Sequence, residues 1–192
     1  KTNRSPLIDL VLKREKNKTM GKSIYGVYGA GGCGRGVMPI ARECLSNLNE
    51  KNYDLVFVDD AVKTTELNGK TVLTFDEFLA HKAATKYIVL AIAQPALRKQ
   101  LAAKCSSNGI NFWTVISKQA VILDNVEIGD GAIICPFSVI TSNVFIGSHC
   151  VILGGSEIGD YSVIAAGSVV TKDIQPNAVF GGSPAKFIRN RE

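Results

Sequence analysis

From Ile116 to Val170 one hydrophobic position recurs at every sixth residue: Ile116, Ile122, Ile128, Ile134, Ile140, Ile146, Ile152, Ile158, Ile164 and Val170. Two residues ahead of each stands a small or β-branched residue: Thr114, Ala120, Val126, Ala132, Ser138, Val144, Cys150, Ser156, Ser162 and Ser168. Helical side chains recur with a period of 3.6 and strand side chains with a period of 2, so neither alone produces this spacing. A triangular coil of three short strands does. Each strand points one large aliphatic residue inside, with the small residue beside it near the corner. The tract therefore predicts a parallel β-helix of about three coils. Gly129, Gly147 and Gly159 directly follow an inward Ile, which predicts the bends there.

Ahead of this tract the pattern changes to short apolar runs alternating with helical spacing. Ser23 to Tyr28 reads as a buried strand, followed by a glycine loop and a helix through MPIARECLSNLN. Tyr53 to Asp60 is a second strand, Asn68-Gly69 a turn, Thr71 to Leu73 a short strand, and Phe75 to about Lys82 a helix. Tyr87 to Ala93 is a further strand, Pro95 opens a helix through Cys105, and a last strand, INFWTVI, leads into the first coil. Such alternation predicts a parallel sheet covered on both faces. The expected fold is thus α/β plus all-β: a Rossmann-like domain over 22–112, then a β-helix with its tail over 113–192. Residues 1–21 read as a leader or tag-derived segment, because Met20 follows a basic stretch. Past Val170 the period stops, and Pro176 and Pro184 mark an extended tail expected to cover the open coil end.

Composition narrows the function classes. Of 192 residues, 46% are hydrophobic, enough for a packed core. No apolar run approaches the ~20 residues of a membrane span, so no membrane partner is expected and the chain reads as cytoplasmic. The formal net charge is +5, but residues 1–19 hold six Lys/Arg against two acids, leaving the body nearly neutral and without a nucleic-acid surface. Five scattered cysteines predict reduced thiols rather than a disulfide framework or a metal site.

Two groups of residues carry candidate chemistry. Gly29-Ala30-Gly31-Gly32-Cys33-Gly34 satisfies G-x-G-x-x-G between a strand and a helix, an arrangement that brings backbone N–H groups and a helix N-terminus to a phosphate. Asp59 and Asp60 end the second strand, where a dinucleotide fold places its ribose ligand. They read equally well as caps of a turn. Only two histidines exist, His81 at a helix end and His149 in the repeat tract, at an outward position where a neighbouring subunit could form a cleft.

The repeats resemble those of left-handed β-helix acyltransferases, and IGDYSVIAAGSVVTKDIQPNAVFGGSPAKFIR resembles their last coil and tail. With the β/α half in front, the chain from Lys22 to Arg189 resembles the nucleotide-sugar and sialic-acid acetyltransferases of bacterial surface-glycan synthesis. The resemblance implies a nucleotide-linked amino sugar at Gly29, Ala30, Gly31, Gly32, Gly34, Asp59 and Asp60. It implies acetyl-coenzyme A along the coil, a homotrimer with sites between subunits, and no metal. A pantetheine arm would run along Ala165, Ala166 and Gly167, with Lys186 and Arg189 at the coenzyme phosphates. Acetyl transfer needs a base for the nucleophile's proton, and His149 is the candidate. One departure stands out. The family's base usually sits in a His-Asp-Cys run, whereas this chain offers Ser148-His149-Cys150, on fewer coils than is usual. Two other readings stay open: a non-catalytic, nucleotide-sugar-binding trimeric relative, and an NAD-dependent oxidoreductase using the glycine loop.

Overall fold

The computed structural model describes residues 21–47 and 52–191, so all of the expected leader except Gly21 lies outside the described residues. The first layer system is a six-stranded sheet of order β3-β4-β2-β1-β5-β6. Its strands are β1 (Ser23–Tyr28), β2 (Tyr53–Val58), β3 (Glu66–Leu67), β4 (Lys70–Leu73), β5 (Thr85–Leu90) and β6 (Asn111–Phe112). β1 runs parallel to both β2 and β5 over its whole length. Helices α1 (Gly32–Asn47), α2 (Phe75–Ala80) and α3 (Pro95–Ser107) connect the strands. β1 is almost entirely buried because both of its faces are covered, which is why it reads as a continuous apolar run.

Three local outcomes refine the sequence reading. β3 and β4 form an antiparallel hairpin whose turn residues Asn68 and Gly69 both have positive φ, 51° and 69°, as the favoured two-residue turn requires. β5 starts two residues earlier than expected and stops at Leu90, since Ala91 to Ala93 leave the sheet toward Pro95. INFWTVI is not one strand: β6 closes the edge of the first sheet, and β7 (Val115–Ile116) already belongs to the coil.

From β7 onward two-residue strands repeat down to β16 (Val169–Val170) and build a left-handed β-helix with three faces. The stacks are in register: Ile134 pairs with Ile116, Ile140 with Ile122, and Ile146 with Ile128. Ile140, Ile146, Ile152, Ile158, Ile164 and Val170 are fully buried. Each such residue contributes roughly 1.5–3 kcal/mol by leaving water. Ser138, Ser162 and Ser168 are also fully buried at the preceding small positions. Their hydroxyls donate to the carbonyls of Cys135, Gln175 and Ala165, so the burial leaves no polar group unpaired.

The bends lie elsewhere than predicted. Asn125, Gly131, Phe137, Asn143, His149, Gly155, Tyr161 and Gly167 all have positive φ, and they too recur every sixth residue. Gly129, Gly147 and Gly159 have no positive φ. A Cβ there would run into the backbone of the next coil, so they are glycines for close stacking. At the end of the tract Ile174 bridges Ile158, β17 (Ala178–Gly182) extends one face in parallel, and β18 (Ala185–Asn190) returns antiparallel. Phe180 and Ala185 pack on the coil interior, which closes this end.

One face of the coil is apolar outside as well as inside. Val115, Ile133 and Val151 are buried among Val37, Met38, Ala41 and Leu45 of α1 and residues of β1 and β2, and Val169 packs against the same cluster. The two halves therefore share a core, and their candidate sites are held in fixed relation.

Candidate functional site

The glycine loop starts where β1 ends. The Gly29 N–H donates to the carbonyl of Val58 (2.8 Å), and its φ of 104° turns the chain out of the sheet. A Cβ on Gly34 would collide with the carbonyl oxygen of Gly29, so the first turn of α1 packs directly on the loop. Gly31 and Gly32 differ: neither has a positive φ, and a Cβ on either would meet nothing within 4 Å. Neither backbone strain nor crowding within the chain explains these two glycines. They expose the first N–H groups of α1, which have no partner inside a helix.

The two acids have separate work. Asp59 accepts the Ala30 N–H on Oδ2 (2.8 Å) and the Ala61 N–H on Oδ1 (2.9 Å), so it fixes the loop and caps its own turn. Asp60 turns away from the loop. It accepts the Tyr28 hydroxyl (2.8 Å) and the N–H of Phe75 at the start of α2 (2.7 Å), and pairs with Lys104 at 3.4 Å. Burial opposes its charge, but those partners outweigh it and hold the Asp60 carboxyl below the usual range. Burial and the same carboxylate push the Tyr28 hydroxyl far up. Of the pair expected to meet a ribose, Asp60 is committed to the fold and Asp59 borders the loop.

The last coil lies next to this loop. The corner column Gly131, His149, Gly167 faces the first half, with the His149 backbone N–H donating to the backbone carbonyl of Asp130 (2.9 Å) and the Gly167 N–H to that of Ser148 (2.8 Å). The His149 imidazole lies over Gly131, where a Cβ would strike Nδ1, and meets Phe112 of β6 edge-on at 4.4 Å. Within this chain His149 is half-buried, because Phe112 and α3 reach the corner. Its Nδ1 is buried and has no hydrogen-bond partner among the described residues, so no acid or carbonyl of this chain's described residues orients the ring from that side. Burial, and then the nearby Arg98 cation, lower the His149 pKa, with Asp130 opposing.

That shift has a measurable sign. Between its lowered folded pKa and the ordinary value of about 6.5, the unfolded chain binds a proton that the folded chain does not. Stability therefore falls as pH is lowered through that window. Thermal melts taken down from about pH 7.5 to 5 should show a decline that shrinks in His149→Asn, since Asn also accepts this corner's positive φ. Equal declines in both proteins would contradict the assignment.

The acetyl-side residues divide similarly. Ala165 donates its N–H to Phe180 of β17 (2.8 Å) and accepts the Cys150 thiol (3.1 Å), and the Gly167 carbonyl accepts the Arg98 guanidinium. Of the expected pantetheine track, only Ala166 is exposed. Lys186 and Arg189 are exposed on β18, where Arg189 bonds the carbonyl of Asn190 (3.0 Å). His81 sits away from all of these, pairing with Asp54 at 3.3 Å. The cysteines are free thiols, and burial raises the pKa of Cys33, Cys105, Cys135 and Cys150, with Cys135 pushed up to about 11 and Cys105 to about 12. Arg98 is the residue that sequence reasoning missed. It stands on the buried stripe of α3 with Leu101, Ala102 and Cys105, and a charge at such a position was the available signal.

Residues 26–105 match the PglD N-terminal domain, and 114–142 and 142–172 match the bacterial transferase hexapeptide (six repeats). A GDP-perosamine N-acetyltransferase of Escherichia coli O157:H7 is 35% identical over 125 residues, which are 65% of this chain and 57% of that protein. The chain thus spans little more than half the length of that curated relative. Among solved structures, WeeI from Acinetobacter baumannii AYE is 28% identical with a TM-score of 0.63, covering 87% of this chain and 100% of its own. The acetyltransferase domain of PglB from Neisseria gonorrhoeae FA1090, in complex with acetyl coenzyme A, shares the fold at 20% identity and a TM-score of 0.52, covering 88% of this chain and 100% of its own. The chain thus carries a PglD-type N-terminal domain followed by bacterial transferase hexapeptide repeats.

Proposed function

We propose that this protein moves an acetyl group from acetyl-coenzyme A to the amino group, or a hydroxyl, of a nucleotide-diphosphate sugar used in bacterial surface-glycan synthesis. The observation that carries the reading is the pair Gly31 and Gly32, whose missing side chains serve nothing within the chain and leave a helix N-terminus open to a diphosphate. The relative named GDP-perosamine N-acetyltransferase supports a nucleotide-linked amino sugar at that loop. In the reaction the sugar nitrogen attacks the thioester carbonyl carbon, the carbon–sulfur bond breaks, and the amine's proton must leave. His149, neutral at pH 7, is the group placed beside the last coil to take it. Lys186 and Arg189 would meet the coenzyme phosphates. The oxidoreductase reading loses ground, because the carboxylate bordering the loop, Asp59, is already doubly bonded and a β-helix follows instead of a substrate domain.

One observation favours a second reading, a trimeric nucleotide-sugar-binding protein without transfer. The unpartnered Nδ1 of His149 lacks the acceptor that would stabilise a charged imidazolium. Incubation with acetyl-coenzyme A and GDP-perosamine, followed by mass measurement of the sugar, separates the two. A gain of one acetyl group supports the enzyme, and tight binding with no gain supports the second reading.

The assembly we infer is a homotrimer in the cytoplasm, where acetyl-coenzyme A is made. Among the described residues no helix is long and apolar enough to cross a membrane. The coil surface not covered by α1 exposes Val121, Phe137, Phe145, Leu153 and Tyr161, a run of apolar groups that identical faces around a three-fold axis would bury. Sedimentation should give a trimer, and a monomer at micromolar concentration would sink this assignment.

A further inference from the structure

The least expected group at the junction of the two halves is Arg98. It is 2% exposed, yet among the described residues no carboxylate pairs with it. Its neighbours of changeable charge are the thiols of Cys33 and Cys150, which burial keeps neutral, and the imidazole of His149. The guanidinium is instead satisfied by three backbone carbonyls: Ile92 and Ala93, on the loop after β5, and Gly167, on the last coil corner. Ser183 of the tail adds a second link, donating to the Ala93 carbonyl (3.3 Å).

What those carbonyls belong to gives the contact its meaning. A Cβ on Gly29 would strike the side chain of Ile92 and the carbonyl of Ala91, so the loop that Arg98 grips lies directly against the glycine loop. Gly167 stacks under His149 in the corner column. We propose that Arg98 is a positioning residue for acetyl transfer, its fork of donors clamping the glycine-loop half to the last coil and fixing the separation of sugar amine and thioester. The assignment rests on the acetyltransferase reading above. An apolar residue in the same helical stripe would bury without desolvating a charge, whereas a planar fork can join three carbonyls from two halves and an ammonium cannot hold the same geometry.

The test uses R98K and a probe whose affinity depends on that separation: coenzyme A joined by a two-carbon bridge to the amine of GDP-perosamine. Joining two ligands gains affinity only when the span fits both sites. In R98K, Kd for GDP-perosamine and for coenzyme A alone should stay within about twofold of the parent, while the bridged probe loses at least about tenfold. Where the parent turns over, kcat should fall about 10- to 100-fold with KM unchanged. An R98K protein that binds the bridged probe as the parent does overturns the proposal. So does a parent that gains nothing from the bridge, or an R98K protein whose separate affinities fall together with the probe's. A parent that gains from the bridge yet yields no acetylated sugar sinks the transfer reading and leaves the clamp standing. If R98K does not fold, R98Q, which keeps part of the planar donor set, is measured in the same way.

Discussion

Gly31→Asp protein should fold like its parent, bind coenzyme A like its parent, and lose nucleotide-sugar binding by about two orders of magnitude or more, some 3 kcal/mol. A side chain at Gly31 meets open space and an ordinary backbone conformation, so nothing in the fold resists it. Gly31 also directly precedes the first helical residue, Gly32, a place where Asp commonly stabilises a helix through its N–H groups and dipole. Stability should hold or rise slightly. The same carboxylate would occupy the N–H groups proposed for the diphosphate and repel its charge. Calorimetric titration with GDP-perosamine and with coenzyme A reads both halves at once. Unchanged nucleotide-sugar affinity would place the diphosphate elsewhere, and loss of both affinities would mean a damaged fold.

The second large effect concerns His149. His149→Asn should lower turnover by about two to four orders of magnitude with little change in either Kd, the usual range for a positioned base. Asn is the informative replacement because it tolerates the φ of 58° that this corner imposes. Ala would add backbone strain to the loss of the ring. Near-parental turnover in an active enzyme would remove His149 from the chemistry and leave it as a corner residue packed between Gly131 and Phe112.

Much of the fold could be read from the residues because it obeys a single rule. A period of six with Ile inside is nearly sufficient for a coil, since each strand is only two residues and its register follows from stacking Ile on Ile. The bends escaped because their signal is mixed: Gly131, Gly155 and Gly167 share the positive-φ position with Asn, Phe, His and Tyr, so composition hid a strict backbone period. The end of β5 escaped because Ala91 to Ala93 are as apolar as a strand but serve as the floor of the glycine loop.

The glycine loop was legible because its residues are contiguous. The rest of the candidate site was not, because it is assembled across the domain junction. Nothing in SHC shows that His149 would lie on Phe112, and no local pattern joins Arg98 to Gly167, 69 residues away. Asp60 is a related case. An acid at a strand end fits a ribose or the cap of a turn equally well, and only the folded chain brings its carboxylate to the N–H of Phe75 at 2.7 Å.

A crystal structure of the protein with GDP-perosamine and coenzyme A bound together would test the account most directly. The diphosphate should lie on the backbone N–H groups of Gly31, Gly32 and Cys33, and the sugar amine and the coenzyme thiol on the side of the corner column that holds His149 and Gly167. A diphosphate bound away from the glycine loop, or a coenzyme thiol remote from that corner in every subunit, would contradict it.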